Sequence, residues 1–332
     1  MLSNRAISAY YSTRPIYLVL TVFIICFNLK EGYSVMNKQA KIAFLGGDGR
    51  QHTAAVKLSC GVWDIYEWGQ DSAEQSGIVS CESIYDAISD ARAVILPLPS
   101  SVDGITLNTQ SAYVSNKVEL ASVVEALGND CIIIGGRLPQ SLRQRAMLRK
   151  IKCIDYFEFE DFQIKNAYTT AEAALSVAMN ALSKNIRDSK FAITGYGRIA
   201  KPLSRLLRAF GADVTVCARK SSDLTWAQLD GCKTELLREG ILPEKLLCGY
   251  DVIFNTVPTI LFGEEFLERV DRKTVIIELA SSPGGIEVSS ARRLRSNVLW
   301  AASLPGRYAP ESAGALIAEC VGDLLKSEVG SV

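Results

Sequence analysis

Short apolar runs alternate with amphipathic segments along most of the chain, and each run has the length of a buried strand. This alternation is typical of parallel sheets that helices cover on both faces. Five runs lie in the first half, at 41–45, 62–67, 93–98, 131–134 and 153–157, and five in the second, at 191–194, 213–217, 251–255, 274–279 and 297–300. The pattern predicts an α/β protein with two doubly wound parallel-sheet domains, a flavodoxin-like N-terminal lobe and a Rossmann lobe.

The spacing of these runs also predicts the domain boundaries. The N-terminal lobe is expected over residues 36–168, with residues 304–332 returning to it, and the Rossmann lobe over residues 187–303. Thr169-Thr170-Ala171-Glu172 has the form of a capping box, which predicts a connecting helix over residues 169–186. At 332 residues the chain is long enough for two cores, with a cleft between them.

A glycine turn between the runs at 191–194 and 213–217 indicates a dinucleotide site. Gly195 permits a tight turn, Gly197 lets backbone approach a pyrophosphate, and Ala200 lets the helix pack closely on the strand. The helix start then favours an anion, although such a turn can also be purely structural. With the loops that leave later strands, the predicted cofactor-binding residues here are Gly195, Tyr196, Gly197, Arg198, Ile199, Asn255, Thr256, Val257, Pro258 and Ala280.

The end of the second strand of this unit indicates which dinucleotide binds. NAD sites usually place Asp or Glu there for the ribose 2′-hydroxyl, whereas this protein has Ala218, Arg219, Lys220 and Ser221. A guanidinium can hold a 2′-phosphate by charge-assisted hydrogen bonds. We therefore predict NADP as the cofactor, with a solvated basic turn as the alternative.

Composition narrows the function further. The 36 Lys and Arg residues balance 36 Asp and Glu residues, so no global charge favours nucleic acid or an anionic membrane. The nine cysteines have neither metal-ligand spacing nor C-x-x-C pairs, which predicts no metal site and a reduced, cytoplasmic protein.

The first 35 residues differ from the rest because residues 15–29 form an apolar run of 15 residues after Arg5 and Arg14. A membrane span needs about 20 such residues, and Lys30-Glu31-Gly32-Tyr33 offers no small-x-small cleavage site. We favour an over-extended start before Met36, with a membrane anchor or an export signal as alternatives.

Several motifs in order carry a family resemblance. They are Gly46-Gly47-Asp48 with Arg50-Gln51, Ile95-Leu96-Pro97-Leu98-Pro99, Thr170-Ala171-Glu172, Gly195-Tyr196-Gly197-Arg198, Ala218-Arg219-Lys220, Asn255-Thr256-Val257-Pro258, Leu279-Ala280-Ser281 with Pro283-Gly284-Gly285, and Leu304-Pro305-Gly306 with Ala309-Pro310 and Ser312-Ala313-Gly314. Together they resemble the dipicolinate synthase A subunits of spore-forming bacteria, over about residues 41–325.

The resemblance implies a fold similar to that of D-2-hydroxyacid dehydrogenases and an NADP-dependent oxidation of dihydrodipicolinate to dipicolinate. It further implies a flavoprotein-like B subunit of dipicolinate synthase as partner, in a homo- or hetero-oligomer, and synthesis in the mother-cell cytoplasm during sporulation. Because dipicolinate carries two carboxylates, guanidinium groups are expected to bind it. We predict Arg50 and Arg137 as the substrate-binding residues, assisted by Ser100 and Ser101, with Arg307 as a third candidate; each arginine could instead be an exposed charge or a loop contact.

The proton acceptor is the least defined part of the prediction. The single histidine, His52, follows the first glycine loop and is a poor candidate for an acid or base. Forming an aromatic ring supplies its own driving force, so Asp48, Glu172 or water could take the proton, although the sequence favours Glu172 as a helix cap over an acid. Two alternatives stay open, a generic 2-hydroxy or amino acid dehydrogenase and a non-catalytic NADP-binding subunit.

Overall fold

The computed structural model describes residues 39–70, 77–109, 117–238 and 240–330. The predicted N-terminal extension over residues 1–35 lies outside these ranges. Within them, the chain forms two parallel six-stranded sheets, with helices in most of the connections between strands.

The first sheet is built from the N-terminal half of the chain. Its strands are β1 Ala40–Leu45, β2 Trp63–Trp68, β3 Ile78–Ser80, β4 Ala93–Ile95, β5 Ile132–Gly135 and β6 Lys152–Asp155. Its helices are α1 Gly49–Ser59, α2 Ile84–Ile88, α3 Leu120–Ala126 and α4 Gln140–Leu148. The strand order is β3-β2-β1-β4-β5-β6, so the order reverses between β1 and β4.

A long helix, α5 Glu160–Ala181, follows the first sheet and precedes the second. The strands of the second sheet are β7 Lys190–Thr194, β8 Asp213–Ala218, β9 Lys233–Leu236, β10 Val252–Asn255, β11 Val275–Glu278 and β12 Val298–Trp300. Its helices are α6 Ala200–Ala209, α7 Ser221–Leu229, α8 Glu264–Arg269 and α9 Val288–Arg293. The order is β12-β11-β10-β7-β8-β9, which repeats the order of the first sheet.

Two further helices complete the described part of the protein, α10 Leu304–Tyr308 and α11 Pro310–Glu328. Helix α11 packs closely on α1, because Gly314 has no side chain and a Cβ there would lie 2.7 Å from the carbonyl oxygen of Arg50. Ile317 and Val321 of α11 are buried in the same core as Ile42 of β1. The C-terminal helix therefore covers part of the first sheet.

The predicted α/β fold class with two doubly wound sheets is confirmed. The five strands predicted in the first sheet have the flavodoxin-like order 2-1-3-4-5 when counted among themselves. Each sheet has one more strand than predicted, β3 and β9, and both lie at an edge. β3 has only two apolar residues, Ile78 and Val79, and β9 has only one, Leu236, so neither produces the apolar run by which the other strands were recognised.

The prediction that a helix begins at Thr169 is wrong. Helix α5 begins at Glu160, and its first turn carries Glu160 and Asp161, which interact favourably with the helix dipole. The hydroxyl of Thr170 donates a 2.8 Å hydrogen bond to the carbonyl of Asn166 one turn earlier, as in a helix interior. The capping-box sequence is thus an internal part of this helix, and Glu172 caps nothing.

The described ranges contain no helix that is both long enough and apolar enough to cross a bilayer. The longest, α5, buries alanines on one side and exposes Ile164, Tyr168 and Glu172 on the other. This distribution is typical of an amphipathic helix that packs against a core on one side and is exposed to solvent on the other.

Candidate functional site

A cleft of about 480 Å³ lies between the ends of the strands of the two sheets and one face of α5. The first sheet contributes loops after β4 and β5, and the second contributes loops after β7, β10, β11 and β12. Ligands in open α/β sheets bind beyond these carboxyl ends. The residues that line it are Arg50, Leu98, Pro99, Arg137, Phe157, Gln163, Asn166, Ala167, Thr170, Gly197, Arg198, Ile199, Thr256, Pro258, Leu279, Ala280, Ser281, Ser282, Ala301, Ala302, Ser303, Leu304 and Pro305.

The two glycines after β7 have different surroundings. Gly195 has a φ of +83°, and a Cβ there would lie 2.8 Å from Oγ1 of Thr256, so the turn and the next loop could not both hold their positions. At Gly197, by contrast, a Cβ would meet nothing within 4 Å. The space beside Gly197 is therefore open to a ligand.

The start of α6 lacks an anion of its own. Its N-cap is Ile199, which offers no side-chain hydrogen bond, and its first turn has no acidic residue. The N–H of Lys201 already donates to the carbonyl of Gly197, and Pro202 has none. The N–H groups from Gly197 to Ala200, which have no partner among the described residues, and the positive end of the helix dipole are therefore what this turn offers at the cleft. A phosphate group would satisfy both.

The side chains of Tyr196 and Arg198, which were also predicted in this turn, differ in their position relative to the cleft. Tyr196 is buried, and its hydroxyl donates a hydrogen bond to the Asp230 carboxylate away from the cleft, while burial raises the pKa of Tyr196. Arg198 lines the cleft, and its Nη1 donates a 2.6 Å hydrogen bond to Oε2 of Glu160 at the start of α5. Tyr196 could therefore reach a cofactor only through its backbone.

The basic segment after β8 lies outside the cleft lining. Ala218 is buried, whereas Arg219, Lys220 and Ser221 are exposed. Neither Arg219 nor Lys220 forms an ion pair or a side-chain hydrogen bond with any residue in the described ranges. Both cations are available to an external anion.

Arg50 is held firmly at the edge of the first sheet. Asp48 caps α1 by accepting a 3.0 Å hydrogen bond from the backbone N–H of Arg50. Its carboxylate also accepts from Nε of Arg50 at 2.9 Å and from Nη2 at 2.7 Å, and Nη2 donates again to the carbonyl of Leu98 at 2.5 Å. Gly306 lies against this pair, since a Cβ there would be 2.8 Å from both Arg50 Nε and Asp48 Oδ2. Only Nη1 of Arg50 is left without a partner among the described residues.

Arg137 is held differently. Its backbone is in the left-handed region, with a φ of +53°, and its N–H donates a 2.9 Å hydrogen bond to Oδ1 of Asp155. The guanidinium carbon lies 4.5 Å from the ring centroid of Phe157, a cation–π arrangement. The side chain has no salt bridge to a described residue and stays exposed to solvent. The Asp155 carboxylate still interacts with this charge, but the guanidinium makes no direct ion pair with a described residue at the cleft wall.

The two predicted serines support these loops and do not line the cleft. Ser100 is fully buried, and its hydroxyl donates to the carbonyl of Arg137 at 3.1 Å. The hydroxyl of Ser101 donates to Oδ1 of Asp103 at 3.0 Å. Both hydroxyls are occupied within the protein.

Three other candidates lie away from the cleft. Glu172 is exposed on α5 and is not among the lining residues. Arg307 is exposed with its guanidinium 6.0 Å from the ring centroid of Tyr308. His52 lies outside the lining, with Nδ1 3.0 Å from Oε2 of the buried Glu67.

A buried polar network beneath the cleft was not predicted. Glu278, the last residue of β11, accepts hydrogen bonds from the backbone N–H of Ala280 at 2.8 Å and of Gly285 at 2.9 Å. It also accepts from Nδ2 of Asn255 at 2.8 Å, and burial raises the pKa of Glu278. Asn255 was predicted to touch the cofactor, but it is fully buried and instead links Glu278 to Thr194, whose hydroxyl donates to its Oδ1 at 2.6 Å. The network fixes the loops of the cleft floor.

Sequence reasoning also missed the face of α5 that lines the cleft. Gln163, Asn166, Ala167 and Thr170 follow the helical spacing i, i+3, i+4, i+7. This spacing was the available signal, but the predicted helix began only at Thr169. Phe157 was missed because it lies in a short 3₁₀ turn, residues Tyr156–Glu158, that was counted as the end of a strand.

Comparison with known proteins assigns the family. Residues 41–157 match the family model of the N-terminal domain of the dipicolinate synthase A subunit. The sequence is 30% identical over 291 residues to the dipicolinate synthase A subunit of Bacillus subtilis strain 168, and the match covers 95% of that protein and 86% of this one. The chain belongs to the family of dipicolinate synthase A subunits.

Solved structures from this family share the fold. The crystal structure from B. subtilis superposes with a TM-score of 0.75 at 29% identity, covering 98% of that protein and 89% of this one. The crystal structure from Bacillus halodurans gives a TM-score of 0.76 at 26% identity, covering 98% of that protein and 87% of this one. D-lactate dehydrogenase from Escherichia coli superposes with a TM-score of 0.55 at 13% identity, and the match covers 98% of that protein and 87% of this one. At this identity the likeness shows the fold alone.

Proposed function

We propose that this protein catalyses the NADP-dependent oxidation of dihydrodipicolinate to dipicolinate. We propose further that it does so in the mother-cell cytoplasm with a flavoprotein-like B subunit. One observation carries the proposal: a single cleft contains an uncapped helix start after a glycine turn and three arginines, with no Asp or Glu among its described lining residues. Arg50 and Arg198 are paired with carboxylates outside the lining, those of Asp48 and Glu160. Such a cleft suits a dinucleotide next to a dianion.

The residues around the second sheet fit NADP. The open space beside Gly197 and the uncapped start of α6 would take the pyrophosphate, and Arg219 with Lys220 would take the 2′-phosphate. The loops at Thr256, Pro258 and Ala280, which line the cleft, would flank the nicotinamide half. When bound, the nicotinamide ring supplies the hydride acceptor.

The protein itself would bind and orient the substrate. Dihydrodipicolinate loses one hydride and one proton to become the aromatic dipicolinate, so the atoms balance with one NADPH and one proton formed. Arg50 and Arg137 would each hold a carboxylate, and the walls of the cleft would keep the ring against the nicotinamide.

Water is the proton acceptor that the geometry favours. Both oxygens of Asp48 already accept hydrogen bonds from Arg50, and Glu172 does not line the cleft. No other carboxylate and no imidazole is among the described lining residues. A 2-hydroxy acid dehydrogenase would need such a group, so this alternative has less support.

The same observation supports a second candidate, a subunit that binds NADP but needs its partner for turnover. The test measures dipicolinate formation and NADPH absorbance together, with the purified protein on its own and with a flavoprotein-like B subunit. Equal amounts of both products from the protein on its own support the proposed activity. Turnover that requires the partner supports the second candidate, and NADP binding without turnover in either mixture would contradict both.

A further inference from the structure

The face of α5 that lines the cleft carries two neutral amides among cationic groups. Gln163 and Asn166 are one turn apart, and the only small lining residue of this helix, Ala167, lies beside them. The amides are half-buried, and neither makes a side-chain hydrogen bond to a described residue. Their donors are therefore open to water or to a ligand in the cleft.

Neighbouring contacts do not account for these amides. Thr170, the other polar residue on this face, donates its hydroxyl to the backbone carbonyl of Asn166 at 2.8 Å, not to the amide. Arg137 is stacked on Phe157, and Arg50 is occupied by Asp48 and the Leu98 carbonyl. The free donors of the two amides therefore face the same space as the two guanidinium groups.

The chemistry of the proposed ligand matches this arrangement. In pyridine-2,6-dicarboxylate the ring nitrogen lies between the two carboxylates, and it is a neutral hydrogen-bond acceptor. Guanidinium groups recognise the carboxylates, but a neutral acceptor is suited to a neutral N–H donor, as an amide provides. We infer that Gln163 and Asn166 recognise the ring nitrogen, and so select a nitrogen heterocycle from other planar dicarboxylates. This inference rests on the proposed function.

A matched pair of ligands tests the inference without turnover. Benzene-1,3-dicarboxylate has the same two carboxylates on the same ring shape, but a C–H replaces the nitrogen. Calorimetric titration of the full-length protein should give an affinity for pyridine-2,6-dicarboxylate that is about tenfold higher, since the analogue leaves a donor unpaired.

Variants locate the selectivity. Asn166→Leu and Gln163→Leu replace the amides by branched apolar side chains that have no donor, so the preference should fall about threefold in each and approach one in the double variant. Affinity for benzene-1,3-dicarboxylate and for NADP should stay as in the parent. Asn180→Leu makes the same change at an exposed position of α5 outside the cleft, and it should keep the full preference.

The outcomes separate this inference from the proposed function. If the parent binds both dicarboxylates equally, or if the variants weaken both to the same degree, the amides do not recognise the nitrogen, while the dicarboxylate site stands. If the variants instead lower NADP affinity alone, the amides serve the cofactor and the inference is wrong. Binding of neither dicarboxylate would overturn the proposed function and this inference together.

Discussion

The first strand of each sheet ends in a glycine turn that leads into a helix, but the two turns treat the start of the helix differently. After β1, the carboxylate of Asp48 caps α1 and accepts a hydrogen bond from the backbone of Arg50. After β7, Ile199 gives α6 no side-chain cap. The first turn thus supplies its own anion, whereas the second leaves its N–H groups for an external one.

This difference shows that strand order does not decide what a sheet binds. Both sheets have the same order, yet the capping residue converts one turn into a support for a cation and leaves the other as an anion site. Asp48 satisfies the helix and also fixes the Arg50 guanidinium, whose remaining donor is directed to substrate in our proposal. One cleft can therefore hold two anionic ligands on opposite sides.

Removing the cation of the first sheet should have the largest effect. In Arg50→Ala, the substrate loses charge-assisted hydrogen bonds, so affinity for dipicolinate should fall by about 3 kcal/mol, roughly a hundredfold. NADP affinity, measured by fluorescence titration, should stay unchanged because the start of α6 is untouched. Arg145→Ala, which breaks an exposed ion pair with Glu125 elsewhere, should affect neither ligand.

Arg50→Lys is the control for misfolding, because Arg50→Ala leaves Asp48 without its partner. The lysine keeps the charge but not the fork that holds Asp48 and the Leu98 carbonyl. It should recover stability in thermal unfolding more than it recovers dipicolinate affinity. Equal loss of dipicolinate and NADP binding in both variants would contradict a substrate role for Arg50.

Making the second turn resemble the first should have the next largest effect. Gly197→Asp fits without a clash, because a Cβ there meets nothing within 4 Å, but it places a carboxylate where the pyrophosphate is proposed to bind. NADP affinity should fall by about 2 kcal/mol, roughly thirtyfold, with an unchanged melting temperature. Gly263→Asp is the matched control, since Gly263 is the N-cap of α8 and its Cβ also meets nothing within 4 Å. Unaltered NADP binding in Gly197→Asp would remove the phosphate site from the proposal.

A smaller loss of NADP affinity is expected from Arg219→Asp, which tests the choice between NADP and NAD. Arg219 is exposed and has no ion pair with a described residue, so Arg219→Asp should leave the fold intact. The carboxylate repels a 2′-phosphate and accepts from a ribose hydroxyl, so NADP affinity should drop by about 1.5 kcal/mol, roughly tenfold, while NAD affinity rises. Measuring both dinucleotides on the same variant is the control. A parent protein without preference for NADP would contradict the assignment.

Both sheets and the glycine turn of the second sheet were predictable from the sequence, because each produces a local sequence pattern. The glycine turn at Gly195 and Gly197 and the apolar runs of ten of the strands predicted both sheets. Local patterns did not predict the elements that depend on tertiary contacts. The short edge strands β3 and β9 are held by one neighbour each and bury little.

The interior of the cleft was less predictable for the same reason. The capping-box sequence at Thr169 is locally convincing, yet α5 begins at Glu160, so Gln163 and Asn166 fell in the predicted N-terminal lobe, before the predicted helix over residues 169–186. The buried network at Glu278 joins β7, β10 and β11, which are distant in sequence. No local sequence pattern predicts a contact between residues so far apart in the chain.

The smallest predicted effect concerns how the first sheet keeps Arg50 rigid. In Gly306→Ala, the new methyl group would lie 2.8 Å from both Arg50 Nε and Asp48 Oδ2, closer than van der Waals contact allows. The pair must shift, so dipicolinate affinity should fall by about 1 kcal/mol, roughly fivefold, with NADP affinity unchanged. Gly128→Ala adds the same methyl group in open space and should change neither affinity. If Gly306→Ala bound dipicolinate as tightly as the parent, the rigidity of the Asp48–Arg50 pair would not contribute to binding, and the first turn would differ from the second only in its charge.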